Sequence, residues 1–323
     1  MFDESLLDKL CCPLLKSRLS YKSGELVSEE GRRYPVVNGI PYLVPRQGDL
    51  PAYTHVGLKK IYDENQYYLS HSLSRKEAFG FVGDIIVATN GNLYRGARPV
   101  APPVPVPRNP FGRGPLELLD IGCNFGRWSI AYAQMGYTVF GIDPHLKALL
   151  AAQQLCEAQG VTPRPAFVAA DARYLPFKSH ALSNVFSYSV LQHLSRQNLL
   201  LVLGEVSRVL RGEGRSFIQM PNALGMRNQL PLMRRGYTSG DEFDVRYYLP
   251  MDLLSMFSSC IGASSLEVDC FLGLNVRSED LSIVKKRYRP VILANRVFMG
   301  AAEKVPALKW VADSLYVLSV KSP

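Results

Sequence analysis

No uninterrupted apolar run in this sequence is long enough to cross a bilayer, and the opening Met-Phe-Asp-Glu is acidic where a secretory signal would be basic. Both absences set the expectation of a soluble, cytoplasmic protein. Cysteine is sparse: the adjacent Cys11 and Cys12 and four scattered singles have neither the spacing of a disulfide scaffold nor that of a zinc knuckle, so reduced thiols are expected. The formal charge of +9 is not gathered into a basic stripe. Its local clusters, Arg227 to Arg235 and Lys285 to Arg289, fit solvated faces better than a nucleic-acid track, and an anionic small substrate or a lipid headgroup surface would use the same charge.

What is present fits a large folded chain. With 323 residues, 47% of them hydrophobic, the chain can bury a substantial core in more than one domain. The most informative stretch is Leu118-Leu-Asp-Ile-Gly-Cys-Asn-Phe-Gly126, followed by Gly141-Ile-Asp143 and later by Ala170-Asp171-Ala172. Leu116 to Ile121 reads as a strand buried on both faces, and Gly122 and Gly126 bracket a bend into a helix that starts near Trp128. Such a bend lets backbone approach a ligand and turns helix N-terminal NH groups toward it. Tyr137 to Ile142 reads as the next parallel strand, and Asp143 at its end is placed to accept hydrogen bonds from a ribose diol. A dinucleotide would demand Gly-x-Gly-x-x-Gly, but Asn124 fills the middle position.

The segment resembles the first motif of class I S-adenosylmethionine-dependent methyltransferases, Asp-x-Gly-x-Gly-x-Gly, with Asn124 in place of the middle glycine. Asp143 matches that family's ribose-binding acid and Asp171 its adenine-contacting acid. Leu175-Pro-Phe177, Asn184 to Val190 and Val206 to Gly214 continue the resemblance in order, over roughly residues 115 to 222. It implies S-adenosyl-L-methionine as cofactor, held by Asp120, Gly122, Cys123, Asn124, Gly126, Asp143, Pro144, Asp171, Ala172 and Tyr188. It also implies an α/β, Rossmann-like seven-stranded methyltransferase sheet with a small N-terminal β-rich domain and a helical cap. Singly, each feature has a plainer reading: the glycines would only tighten a turn, Asp143 would cap a helix before Pro144, and Asp171 would be a loop carboxylate. Their joint order outweighs those readings.

Residues 1–48 read as a separate module of short strands over Leu10 to Lys16, Leu26-Val27 and Tyr34 to Leu43, with Asn38-Gly39 a hairpin signal. The module resembles the zinc-ribbon-like domain of methyltransferase activator subunits. Where the metal-binding versions have Cys-Pro-x-Cys and a second Cys-x-x-Cys, this chain keeps Cys12 but has Leu15 and then Ser28 to Gly31. Four soft ligands are lacking, so no structural zinc is expected, and the module should be held by its apolar residues alone. Residues 49–112 read as a helical cap, with Tyr62, Tyr67, Tyr68 and Phe79, and then a stiff proline-rich connector from Arg98 to Arg108.

Residues 113–323 read as the methyltransferase domain. Its fifth strand is expected over Gly214 to Met220, a helix over Pro250 to Ser259, a sixth strand over Leu266 to Leu272, and a seventh, antiparallel strand over Leu315 to Val320. Insertions at about 221–249 and 274–314 fall on the substrate side, and Arg227, Arg234, Arg235, Tyr247 and Tyr248 are the expected substrate wall. A sulfonium methyl is already electrophilic, so positioning is the main requirement, and His193 is the candidate general base for a hydroxyl acceptor. The expected function is methyl transfer to an oxygen or nitrogen of a small or medium-sized, anionic metabolite. RNA methylation is the alternative, and a cofactor-binding partner without turnover is the third class.

Overall fold

A computed structural model describes residues 2–46, 56–90, 108–112, 117–238, 244–272, 281 and 284–323. The proline-rich connector over 98–107, the boundaries placed at 49 and 113, and parts of both insertions lie outside the described residues. The main sheet consists of β5 (Glu117–Ile121), β6 (Thr138–Asp143), β7 (Ala166–Ala169), β8 (Leu182–Ser187), β9 (Leu210–Pro221), β10 (Gly262–Cys270) and β11 (Ser314–Lys321), in the order β10-β11-β9-β8-β5-β6-β7. From β9 to β7 every pairing is parallel, whereas β11 runs antiparallel to both β9 and β10. This is the expected seven-stranded Rossmann-like sheet, including the antiparallel last strand.

Alternation along each strand divides the core. Leu119 and Ile121 of β5 pack with Leu199 and Val202 of helix α5 (Arg196–Val209) and with Leu253 and Phe257 of α7 (Pro250–Cys260). Leu118 lies in the opposite core with Ile130 of α3 (Arg127–Gln134) and Leu149 of α4 (Leu146–Ala158). A parallel sheet covered on both faces needs strands apolar on both sides, and this is why the central strands read as near-continuous hydrophobic runs. The fifth strand is longer than its expected span: it begins at Leu210, which pairs with Leu182 of β8, and ends at Pro221, which pairs with Ser314 of β11. The sixth begins at Gly262, where β11 supplies partners as far back as Lys321.

The N-terminal module is a four-stranded antiparallel sheet: β1 (Leu19–Lys22), β2 (Glu25–Ser28), β3 (Arg33–Val37) and β4 (Ile40–Pro41). Asn38 and Gly39 both have positive φ, as a two-residue hairpin turn requires. The strand expected over Leu10 to Lys16 is absent. A 3₁₀ helix spans Glu4–Asp8 instead, and the backbone of Leu10 bridges Phe177 of the main domain. The apolar residues of the module pack into the cores of the main domain. Leu10, Leu26 and Leu43 belong to one main core and Ile40 and Tyr42 to the other. Leu43 donates its NH to Ala169 O (2.8 Å), Cys11 to Pro176 O (3.0 Å), and Lys178 returns a bond to Lys9 O (2.8 Å). The module thereby covers the β7 edge, which would otherwise present unpaired backbone.

The cap contains α1 (Val56–Tyr68) and α2 (Arg75–Asn90). Asn65 is fully buried at the junction of all three parts. Its Nδ2 donates to Pro144 O (2.8 Å) and Tyr42 Oη (3.3 Å), and its Oδ1 accepts from the NH of Leu146 at the start of α4 (2.8 Å). Replacing Asn65 by the similarly shaped Leu leaves a buried donor and a buried acceptor unpaired. Urea unfolding of Asn65→Leu is expected to show a loss of about 2–3 kcal/mol. A loss under about 0.5 kcal/mol, within the scatter of ordinary surface substitutions, would remove the junction role.

Candidate active site

The bend after β5 is left-handed three times, with φ of 72° at Gly122, 48° at Asn124 and 78° at Gly126. Asparagine is among the few side chains that tolerate this region, which is the physical reason it can replace the middle glycine. Gly122 and Cys123 both donate their NH groups to Ile142 O (2.8 and 2.9 Å). A side chain at Gly122 would meet the methyl groups of Val190 at 2.4 and 2.6 Å, so the β5 and β8 turns touch there through bare backbone. Gly126 differs: its absent Cβ makes room for Ala152 and Phe167, 3.0 to 3.3 Å away, and so serves helix packing.

A cavity of about 370 Å³ opens at the carboxyl ends of β5 to β8. Gly122 and Asn124 line it from the first turn, Asp143, Pro144 and His145 from the second, Asp171 and Ala172 from the third, and Val190 and His193 from the fourth. Ile61 of the cap closes one side. The Asp143 carboxylate accepts from Asn124 N (Oδ2, 3.0 Å) and His145 N (Oδ1, 2.9 Å), while burial holds its pKa above the ordinary carboxylate value. Asn124, which also lines the cavity, has a buried Oδ1 with no hydrogen-bond partner. Asp171 is engaged by Arg173, whose guanidinium reaches Oδ2 at 2.6 Å and whose Nε reaches Oδ1 at 3.0 Å. Outside the cavity, Glu64 of α1 pairs with His145 (3.0 Å) and Lys147 (2.9 Å), fastening the cap to the start of α4.

Four residues expected to hold the cofactor do not line this cavity. Asp120 is buried on the α3 face of β5, where Ser129 Oγ donates to Oδ2 at 2.6 Å. Its carboxyl has its pKa pushed up to about 7 by burial. Cys123 is also buried, its thiol 3.0 Å from where a Gly141 Cβ would stand, and Gly126 starts α3. Tyr188 donates to Asp269 Oδ2 (3.1 Å), with its ring 4.9 Å from that of Trp128. Strand alternation explains Asp120, and the helix packed over the turn explains the other three.

A second cavity of about 380 Å³ lies beyond the segment His193 to Arg196, lined by Tyr247 and Tyr248 as expected, and also by Arg196, Tyr237 and Arg246. Arg246 donates to His193 O (2.7 Å), and its backbone NH to Gln192 O (2.9 Å), so this residue ties the two cavity walls together. The other three expected substrate residues do not line it. Arg235 packs over Tyr247 (5.5 Å) and donates to Val245 O, Arg227 donates to Leu272 O, and Arg234 is exposed on α6 (Gln229–Arg234). Asn65 and Arg246 were missed in the sequence. Tyr62, Asn65 and Leu69 share one helical face, and an amide inside an apolar stripe is the signal that would have pointed to Asn65.

Comparison with known proteins agrees with this geometry. Residues 118–214 match the methyltransferase domain family. Methyltransferase GfsG of Streptomyces halstedii is 29% identical over 100 residues, covering 31% of this chain and 35% of that protein. Protein preY of Bos taurus is 46% identical over 48 residues, 14% of this chain and 42% of that protein. A UPF0434 protein of Rhizobium leguminosarum is 53% identical over 45 residues, 13% of this chain and 73% of that protein. The chain thus spans about two-fifths of preY and about a third of GfsG. Phosphoethanolamine N-methyltransferase 2 of Haemonchus contortus, solved with S-adenosyl-L-methionine, superposes with a TM-score of 0.47 at 15% identity, covering 85% of this chain and 62% of that one. Residues 118–214 thus form a domain of the methyltransferase family, and a UPF0434-type module stands at the N-terminal end.

Proposed function

We propose that this enzyme transfers the methyl group of S-adenosyl-L-methionine to an oxygen or nitrogen of a small or medium-sized anionic metabolite. Residues 1–48 act as a docked module, 49–112 as cap and connector, and 113–323 as the catalytic domain. The observation that carries the reading is the convergence of Asp143, Asp171 and the Gly122–Asn124 turn on one cavity, with an arginine- and tyrosine-lined cavity across the His193 segment. A volume near 370 Å³ falls within the ~300–1,000 Å³ of small-molecule sites. The unpaired Asn124 Oδ1 and the Asp143 carboxylate offer acceptors to the amino and hydroxyl groups of the cofactor. Asp143 would hold the ribose diol, and the Asp171–Arg173 pair with Ala172 would flank the adenine.

When bound, the cofactor supplies an electrophilic sulfonium methyl. The protein's part is to align the acceptor behind that methyl and keep water out. Arg196 and Arg246 would hold an anionic acceptor, and Tyr237, Tyr247 and Tyr248 would pack against its apolar part. His193, on the wall between the cavities, would take the acceptor proton. His193→Ala is expected to lower kcat by roughly 10²-fold with little change in cofactor affinity. Unchanged kcat would mean that the imidazole only shapes the turn.

Calorimetric titration with S-adenosylmethionine and S-adenosylhomocysteine tests the cofactor, with a reduced nicotinamide dinucleotide as control. Micromolar binding of the first two alone supports the reading. A labelled-methyl screen then separates a metabolite acceptor from the alternatives. Salt-sensitive RNA binding with label in RNA favours the second class, and tight cofactor binding without labelled product the third.

A further inference from the structure

Most large hydrophobic side chains that remain exposed among the described residues sit in the two insertions rather than over the sheet. The clearest case is α8 (Arg289–Lys304), which packs inward through Ile292, Asn295 and Ala302. A helix resting on a core ordinarily turns polar residues outward, yet its outer face carries Leu293, 53% exposed, and Val297, 72% exposed, one turn apart. On α6, Leu232 faces the second cavity while Met233, 61% exposed, and Leu230 face outward. Leu224 and Met226 precede that helix, and Trp310 ends the run with half-exposed Val311 beside it.

Hydrogen bonds tie these elements to the same end of the sheet. Asn222 donates to the carbonyls of Trp310 and Ala312 (both 2.8 Å), Arg227 N donates to Asp313 Oδ1 (2.7 Å), and Asn295 Oδ1 anchors α8 to the NH of Phe271 (2.8 Å). The charge along this segment is strongly basic. Between Val284 and Ala312 seven lysines and arginines stand against a single carboxylate, Glu303, and Arg296 adjoins Val297 directly.

We infer that this face docks on an anionic lipid bilayer. Protein interfaces exclude charge from their apolar centres. Here cations alternate with Leu293, Val297 and Trp310, an arrangement that a lipid surface accommodates because apolar groups enter the acyl boundary while basic heads pair with phosphates. No helix among the described residues is long and apolar enough to cross a membrane, so the attachment is peripheral. At α6 the docked face backs the second cavity, since Leu230 and Met233 are exposed while Leu232 of the same helix lines that cavity. Docking does not depend on methyl transfer, and its test reads no activity.

Flotation of the full chain with phosphatidylcholine vesicles, with and without phosphatidylglycerol, provides that test. Binding is expected only with phosphatidylglycerol and is expected to weaken as salt rises. Leu293→Ser/Val297→Ser and Lys286→Glu/Arg296→Glu, all at exposed positions, should each reduce the bound fraction roughly tenfold. The chain has two tryptophans, so a blue shift of emission on vesicle addition should vanish in Trp310→Phe. Three results overturn the inference. One is failure of the parent chain to bind phosphatidylglycerol vesicles, and another is undiminished binding by both double variants. The third is a dimer, without vesicle binding, that the same substitutions disperse, which would assign the face to a second copy of this chain.

Discussion

Asp143→Ala is expected to lose S-adenosylmethionine binding by about 10³-fold in calorimetry while the chain stays folded. The carboxylate stands at the end of β6, accepts two backbone NH groups that shape the cavity, and keeps lone pairs on the cavity side. Each charge-assisted bond from a ribose hydroxyl is worth roughly 1.5–3 kcal/mol, so losing both gives the stated range. The stability change should be much smaller. The variant gives up two backbone hydrogen bonds but no longer buries a carboxylate whose pKa burial has raised. Asp143→Asn keeps one acceptor and should fall between the two. Near-native affinity in a folded Asp143→Ala would sink the ribose assignment and leave the fold untouched.

The same strand end shows how far the sequence could be read. Asp143 and Asp120 are both carboxylates near strand ends in one motif, and both read as ligand contacts. Asp143 faces the cavity and Asp120 faces α3, because β5 alternates and Leu119 and Ile121 occupy the side toward α5. The strands could be found one by one from buried runs and turns, and the seven-stranded plan came from the family resemblance, but their order in the sheet is carried by the structure alone. The N-terminal module was harder. Its hairpin is written in Asn38-Gly39, but its attachment uses backbone bonds from Cys11 and Leu43, which carry no side-chain signature. The second cavity was half legible. Tyr247 and Tyr248 line it, whereas Arg227 and Arg235 are spent on backbone carbonyls, and an arginine run does not reveal which members will be used that way.

Burial of Asp120 makes stability depend on pH in an unusual direction. In the unfolded chain this carboxyl ionises near 3.8, and in the folded chain it stays protonated up to about 7. Between those values the folded state holds a proton that the unfolded state has released, so unfolding free energy falls as pH rises through the window. A separation of this size is worth at most about 4 kcal/mol. Asp120→Asn keeps an oxygen for Ser129 and has no charge to bury, so its stability lacks this component at every pH. Urea unfolding of both proteins at pH 4 and pH 8 reads the effect as a difference between them, together with the interaction that Asp120 has with Asp143. The variant is expected to gain up to about 4 kcal/mol on the parent between the two conditions. A constant difference would show that Asp120 ionises in the folded chain as it does in the unfolded one, with Ser129 and the helix above β5 compensating its burial.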